Sequence, residues 1–205
     1  MWRFVLKENI RRLQVLAVRE KSGAERQKLS QLVEQAKAEL AEIDQASTPE
    51  RARNDVALEY FAGRVVDDAL ELNGAQFGSL QIYDDSREHL MVLAQRNFRA
   101  PFLHHLALMK PGDGSPCGRC LADDTPAEVA DVNVDQSFEP HRNAAREAGF
   151  QAVQAFPVRN GAGSPIAVLS TYFSDPRSFS RDDLHRMSIY TASVGSGLER
   201  HLTRR

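Results

Sequence analysis

Pro111-Gly112-Asp113-Gly114-Ser115-Pro116-Cys117-Gly118-Arg119-Cys120 is the most informative segment of this chain. Glycines and prolines so close together predict a turn with positive φ angles. Ser115 followed by Pro116 is typical of a helix cap and the first helical residue. We therefore expect a tight loop that leads into a short helix, and we call residues 111–120 the cysteine loop.

Both cysteines of the protein lie in this loop, three positions apart. Unpaired backbone N–H groups and the helix dipole lower a thiol pKa at a helix start, so the sequence predicts a lowered pKa for Cys117. The spacing puts Cys120 on nearly the same helix face. The pair is a candidate redox or ligand-attachment site; the alternative is that both are ordinary buried residues.

The composition is that of an ordinary globular protein. The 205 residues are 42% hydrophobic and carry a formal net charge of -2, which gives no electrostatic footprint for nucleic acid. No window approaches the roughly 18 uninterrupted apolar residues of a membrane span, and charge interrupts the N-terminus too early for a signal peptide. The sequence therefore predicts a cytoplasmic protein with no nucleic-acid or membrane partner.

Residues 1–46 are predicted to form a helical appendage, which Gly23 divides into two stretches. Apolar residues recur in both at alternating spacings of four and three, at Leu6, Ile10, Leu13 and Ala17 and then at Leu29, Val33, Ala36, Leu40 and Ile43. So narrow a stripe is typical of a helical hairpin or coiled coil. We expect it to form a homodimer, and the alternative is packing on its own domain.

Residues 47–54 are a polar linker in which Pro49 is a candidate helix start. From residue 55 to residue 205 the pattern changes to mixed helix and strand, as expected for one domain. A helical repeat ends at Asn73-Gly74, and a closing helix is expected at 180–202, capped by Ser180. Short helices are expected at 101–109 and 140–149, and strands at 78–83, 89–94, 127–132, 152–158 and 165–173. The last two strands are expected to form the central hairpin of an antiparallel sheet.

Several short motifs of this region occur together in one known family. They are Gly74-Ala75-Gln76-Phe77-Gly78-Ser79-Leu80-Gln81, Gly112-Asp113-Gly114-Ser115-Pro116-Cys117-Gly118, Val129-Ala130-Asp131-Val132, Val153-Gln154-Ala155-Phe156-Pro157-Val158 and Ile166-Ala167-Val168-Leu169-Ser170. In this order, with Asp135, Phe138 and His141 between them, they resemble the GAF domain, a small-molecule sensing module. The resemblance covers roughly residues 56–200.

The resemblance implies an α+β, PAS-like fold. It has a six-stranded antiparallel sheet with helices packed on one face and a ligand pocket on the other. Apolar walls with a few polar groups suit a small ligand, although the same side chains are also able to close a small core. On this chain the pocket would be lined by Gln81, Tyr83, Phe98, Phe102, His105, Cys117, Asp131, His141, Gln154, Phe156, Ser170 and Tyr172. The resemblance does not indicate which ligand or cofactor is bound.

Other members of the family supply alternatives. Cys117-Gly118 resembles a motif of the free methionine-(R)-sulfoxide reductases, but residues 138–145, where their catalytic cysteine falls, contain none. Covalent bilin attachment uses a Cys-His pair, and here Leu121 follows Cys120. Cyclic-nucleotide binders carry an Asn-Lys pair that residues 169–173 lack. No metal site is expected, because His104, His105 and His141 lack finger-like spacing.

The resemblance therefore implies a sensory domain and not an enzyme. We expect a homodimer that senses a small molecule or a redox state and passes it to a separate partner, such as a histidine kinase. A thiol-dependent reductase and a purely structural dimerisation or adaptor domain are the competing classes.

Overall fold

A computed structural model of the chain describes residues 10, 14, 17–18, 22–46, 49–83, 90–106 and 109–203. The chain divides into two compact units, Met1–Val56 and Ala57–Arg205. Most of the first predicted helical stretch, and with it the predicted hairpin, lies outside the described residues. Within the described ranges, no helix is both long enough and apolar enough to cross a membrane.

The first unit contains helix α1, Gly23–Ala46. Its start is confirmed near the predicted break, because the carbonyl of Ser22 accepts a hydrogen bond from Arg26 N. The described side chains of α1 that are not exposed are members of the predicted stripe, namely Leu29, Val33, Ala36 and Leu40. The covered side of this helix is therefore the stripe that the spacing predicted.

Helix α2, Pro49–Asn73, begins at the predicted proline and ends before Gly74, whose φ angle is 63°. The elements that follow are β1 Phe77–Tyr83, β2 Leu90–Arg96, α3 Ala100–Leu106, α4 Pro116–Asp123, β3 Ala127–Val129, a 3₁₀ turn Glu139–His141, α5 Arg142–Ala148, β4 Ala152–Arg159, β5 Pro165–Phe173 and α6 Arg181–Thr203. Every helix and strand predicted for this region is present, with ends shifted by a few residues.

The strands form one antiparallel sheet in the order β2-β1-β5-β4-β3. The predicted central hairpin is confirmed, because β5 is the middle strand and pairs with β4. The prediction of six strands is wrong for the described part of the chain, where the sheet has five. The strand-like alternation predicted these five, and the sixth came from the family resemblance alone. Where the structure describes the segments between the strands, they form short helices and turns, and no further strand joins an edge there.

The two faces of the sheet have different covers. On the helix face, Gly78 of β1 lies against Val66 of α2, and Gly195 of α6 lies against the backbone of Arg159 in β4. The opposite side, which we call the loop face, is covered by α3, the cysteine loop, α4, the 3₁₀ turn and α5, which pack around a buried apolar cluster. The implied arrangement of long helices on one face is thus confirmed.

Candidate ligand site on the loop face

The cysteine loop folds as its residue types require. Gly114 has a φ angle of 90°, and a Cβ atom there would overlap the carbonyl group of Ser137. Ser115 caps α4, because its Oγ accepts a hydrogen bond from Gly118 N at 3.0 Å. The predicted turn and cap are therefore confirmed. Together they place Cys117 in the first turn of α4, facing the sheet.

Polar side chains meet on this face inside an otherwise apolar cluster. Cys117 Sγ lies 3.2 Å from Ser170 Oγ and 3.8 Å from Tyr172 Oη. Tyr172 Oη lies 3.3 Å from Ser79 Oγ. Gln81 follows Ser79 on the same side of β1, and all five side chains are at most 2% exposed. We call Ser79, Gln81, Cys117, Ser170 and Tyr172 the polar strip.

Burial determines the protonation state of the two thiols. It raises the pKa of Cys117, although hydrogen bonds from Ser170 and Tyr172 act in the opposite direction. The prediction of a lowered Cys117 pKa is therefore wrong, because the loss of water outweighs the effect of the helix start. Burial, and secondly the proximity of Cys117, raises the pKa of Cys120. Both cysteines are free thiols and are neutral at neutral pH.

Aromatic rings surround the polar strip. The ring centroid of Phe98 lies 4.4 Å from that of Phe102 and 4.8 Å from that of Tyr172. Phe150 meets Phe102 at 5.2 Å and Tyr172 at 4.9 Å, in both cases edge to face. Such contacts stabilise a core beyond the apolar area that they bury. The rings are the apolar wall of the candidate site.

Two predicted histidines form a hydrogen-bonded pair at the edge of this wall. His105 Nε2 lies 2.9 Å from His141 Nδ1, and His141 Nε2 lies 2.8 Å from the carbonyl oxygen of Asp113. Because a carbonyl only accepts, His141 Nε2 carries a proton, and in the neutral pair His105 Nε2 donates to His141 Nδ1. Burial, and then the proximity of His141, lowers the pKa of His105, while the Asp113 carboxylate acts in the opposite direction. The pair joins α3, the 3₁₀ turn and the cysteine loop.

An ion pair fastens the cysteine loop to the segment after β3. Arg119 Nη2 lies 2.6 Å from Asp135 Oδ1, and Arg119 Nε donates to the Gly114 carbonyl at 2.9 Å. Asp135 Oδ1 also accepts from Phe138 N at 2.9 Å. The cover of the loop face is thus tied together by charged as well as apolar contacts. No group of three or more His, Cys, Asp or Glu side chains in the described ranges is placed to hold a metal ion.

The structure brings most of the predicted site residues together and separates the others. Phe98, Phe102 and Tyr83 pack in or against the loop-face cluster around the polar strip, and the histidine pair adjoins it. Asp131 lies in the turn after β3, where its carboxylate accepts hydrogen bonds from Asn133.

Gln154 and Phe156 lie on the helix face, so their predicted placement in the pocket is wrong. The strand register pairs Gln154 with Thr171 and Phe156 with Leu169. Directly paired residues of an antiparallel sheet point to the same side. Gln154 Nε2 accordingly donates to Thr171 Oγ1 at 3.1 Å, on the side opposite Tyr172.

Sequence reasoning missed Ser79, Asp113 and Phe150. The two-residue period of β1 would have identified Ser79, since it lies two positions before Gln81. Phe150 lies in the short connection after α5, where no periodic pattern indicates which way a side chain points. Asp113 meets His141 through its backbone carbonyl, and the sequence does not reveal this contact.

An antiparallel sheet with long helices on one face and a covered, partly polar site on the other defines a small α+β domain of the PAS-like class. The family model for the GAF domain matches residues 57–199. The chain therefore belongs to the GAF domain family, whose members are commonly sensor or signalling domains. A search of curated proteins by sequence finds no match.

Solved structures share this fold at low sequence identity. The GAF domain of a phosphoenolpyruvate-protein phosphotransferase from Coxiella burnetii is 18% identical, with a TM-score of 0.59 over 80% of this chain and 91% of that one. The blue-light absorbing form of the PixJ GAF domain from Thermosynechococcus elongatus is 16% identical, with a TM-score of 0.56 over 73% and 89%. A type II free methionine-R-sulfoxide reductase from Thermoplasma acidophilum is 18% identical, with a TM-score of 0.50 over 69% and 94%. These identities show the fold alone.

Proposed function

We propose that this chain is a sensory domain that binds a small molecule on the loop face and passes its ligand state to a separate signalling protein, such as a histidine kinase. The observation that carries the proposal is the polar strip, a set of fully buried hydrogen-bonding groups within an aromatic and aliphatic cluster. Apolar walls with a few convergent polar groups are what a small-ligand site requires.

The signal would leave through the helix face. Strand β5 carries Ser170 and Tyr172 on the loop face, and Thr171 between them accepts a hydrogen bond from Asn73 of α2 at 3.4 Å. A ligand that favours one arrangement of the polar strip therefore shifts the population of states that α2 and α6 adopt. The size of this population shift is limited by the difference between the ligand's binding free energies for the two states.

Residues 1–46 would form the dimerising appendage, with residues 47–54 as its linker and 55–205 as the sensory domain. Within the single chain the stripe on α1 is already covered, so a contact with a second copy would use the exposed side of the helix, where Leu32 is a large apolar side chain. Sedimentation of the purified protein at micromolar concentration tests it. A dimer is expected, and its loss on removal of residues 1–46 would assign the dimer contact to the appendage; a monomer only would contradict it.

Native mass spectrometry of protein purified from its own host tests the ligand. We expect a bound small molecule whose mass is lost on denaturation. Addition of that molecule to ligand-free protein should raise the melting temperature. If no metabolite binds or raises the melting temperature, the structural dimerisation or adaptor domain becomes the better interpretation.

Redox sensing through Cys117 and Cys120 has less support than ligand binding. Both thiols are buried and both pKa values are raised, which disfavours the thiolate that reacts with an oxidant. With peroxide as oxidant, a disulfide would form with loss of one hydrogen from each thiol. Mass spectrometry of the Cys117–Cys120 peptide after mild peroxide treatment should therefore show no loss of two hydrogens, and such a loss would restore the redox proposal.

Reductase activity is the remaining alternative. It needs a thiolate that attacks the sulfoxide and a second thiol that resolves the product. The burial of both cysteines argues against it. We expect no turnover of free methionine sulfoxide with a dithiol reductant; turnover that is lost in Cys117→Ser would establish the enzyme.

A further inference from the structure

The amide oxygens of Asn73, Gln81 and Gln154 are buried and lack a hydrogen-bond partner among the residues that the structure describes. A buried acceptor without a donor costs free energy, so each such atom requires an explanation. The groups next to these three side chains differ in whether they are able to donate a hydrogen bond to the unpartnered oxygen.

Asn73 and Gln154 share a hydroxyl group on the helix face. The Nδ2 atom of Asn73 and the Nε2 atom of Gln154 lie 3.4 Å and 3.1 Å from Thr171 Oγ1. A hydroxyl both donates and accepts, and the oxygen and nitrogen of an amide exchange places on a half-turn of the group. Thr171 is therefore able to satisfy one of the two oxygens from within the protein.

Gln81 has no such freedom. Its Nε2 lies 3.4 Å from the carbonyl oxygen of Leu106. A carbonyl only accepts, so a half-turn of the amide would bring two acceptors together. The Leu106 carbonyl thus holds the amide nitrogen of Gln81 in its present position. The amide oxygen, Oε1, is left as an acceptor without a donor.

The surroundings of Gln81 limit the kind of molecule that is able to carry this donor. In the sheet register Gln81 pairs with Val92 on one side and Val168 on the other, so its cross-strand neighbours are apolar. No Asp, Glu, Lys or Arg is among the buried residues of the described ranges. A charge placed beside Gln81 would therefore lack a buried counter-charge, which is costly.

We propose that Gln81 is the principal polar contact of the ligand and that the ligand presents an N–H or O–H donor on an uncharged, largely apolar body. This inference rests on the proposed function, because it specifies the ligand class for the same site. The hydroxyls of Ser79 and Tyr172 bond each other, and within the polar strip Gln81 Oε1 is the oxygen that has no hydrogen-bond partner among the described residues.

Matched probes test this assignment on the full-length protein. The pairs are phenol with anisole and indole with 1-methylindole, in which methylation removes the donor and makes the probe more apolar. Dissociation constants are measured by ligand-observed NMR. We expect the wild-type protein to bind each donor probe at least about tenfold more tightly than its methylated twin. If Gln81 offered no free acceptor, the apolar core would instead bind the methylated probe more tightly than the donor probe.

Variants assign the preference to one residue. In Gln81→Leu and in the isosteric Gln81→Met the ratio should fall to about one or invert. Gln154→Leu is the matched control, because Gln154 is equally buried and also has an unpartnered oxygen but lies on the helix face. It should keep the wild-type ratio. Retention of the ratio in both Gln81 variants, no preference in the wild type, or binding of neither probe would overturn the proposal.

This outcome is separable from that of the sensory function. If the ligand found by native mass spectrometry has no donor or carries a charge on its buried part, the inference about Gln81 fails while ligand sensing stands. If the probes discriminate through Gln81 but no metabolite is bound by protein from the host or raises the melting temperature, the inference stands while ligand sensing fails.

Discussion

The helix face and the loop face of the sheet bury side chains equally well but in different ways. On the helix face, two long helices bury apolar residues such as Leu58, Met187 and Leu198. On the loop face, short helices and loops cover aromatic rings and the polar strip, and the histidine pair and the Arg119–Asp135 ion pair join these segments to one another. Long helices give a permanent core, whereas a cover of short segments held by polar contacts suits a site that changes state.

Gln81 and Gln154 show the difference at the level of single residues. Both are fully buried in neighbouring parts of one sheet. Gln154 meets a hydroxyl, which adapts to either end of an amide, and Gln81 meets a carbonyl, which does not. On the helix face the Thr171 hydroxyl is thus able to satisfy one of the two amide oxygens internally, whereas the carbonyl that Gln81 meets leaves the Gln81 oxygen for another molecule.

The largest expected effect is the removal of a helix-face ring. Phe156→Ala should lower the free energy of unfolding by about 3–5 kcal/mol, because it leaves a cavity in a packed core. Chemical denaturation measures this, and Tyr60→Ala, at a side chain that is 73% exposed, is the control, with an expected change within about 0.5 kcal/mol. A loss below about 1 kcal/mol for Phe156→Ala would place this ring in an adaptable pocket wall and not in the core.

The cover of the loop face should be almost as sensitive at Gly114. Gly114→Ala should cost about 2 kcal/mol or more, because it combines backbone strain at a positive φ with overlap of the Ser137 carbonyl. Gly163→Ala is the matched control: its φ angle is 81°, but nothing lies within 4 Å of the added Cβ. There we expect strain alone, about 1 kcal/mol, by chemical denaturation. Equal losses at both glycines would mean that the cysteine loop moves away from Ser137 at no cost.

A smaller effect is expected from acidification of the histidine pair. Because the pKa of His105 is lower in the folded protein than in the unfolded chain, the unfolded state binds more protons as the pH falls below the ordinary histidine value of 6.5. Stability is therefore complete above that pH and is lost on going from pH 7 to pH 5, by no more than about 1.4 kcal/mol per pH unit.

Denaturation at several pH values between 7 and 5 tests the contribution of His105. His105→Gln should flatten the profile, and His185→Gln, at an exposed position of α6, should not. Carboxyl groups such as Asp135, whose pKa values are lowered by their partners, also stabilise the folded state. That stability is lost only when the pH falls below the ordinary aspartate pKa, which lies outside the range from pH 7 to pH 5. Identical profiles for wild type and His105→Gln would show that His105 does not report acidification.

The sequence predicted the elements well because their signals are local. The cap at Ser180 is an example: its Oγ accepts from Asp183 N at 3.1 Å, as the capping pattern requires. The face of the sheet toward which each side chain of β4 and β5 points is not predictable in the same way. Nearly every residue of both strands is buried, so the alternation that distinguishes one face from the other is missing. For this reason the sequence predicts the wrong face for Gln154 and Phe156.

The protonation states and contacts of the candidate site depend on how deeply its side chains are buried, which cannot be predicted from local sequence patterns. The helix start before Cys117 was recognisable, but its effect on the thiol pKa is smaller than that of burial. The histidine pair likewise joins residues 36 positions apart through contacts that no spacing rule indicates. Local chemistry was thus predictable, and the desolvation that decides its outcome was not.

The smallest expected effects distinguish the two buried glutamines. Gln81→Leu removes an unpartnered oxygen and one long hydrogen bond, and it adds apolar surface between Val92 and Val168, so ligand-free protein should change by less than about 1 kcal/mol or become more stable. Gln154→Leu removes the 3.1 Å bond to Thr171, and a loss of about 1 kcal/mol is expected. Chemical denaturation of both variants without ligand measures the difference. A larger loss for Gln81→Leu than for Gln154→Leu would mean that the loop face completes the hydrogen bonds of Gln81 by itself, and the contrast between the two faces would then disappear.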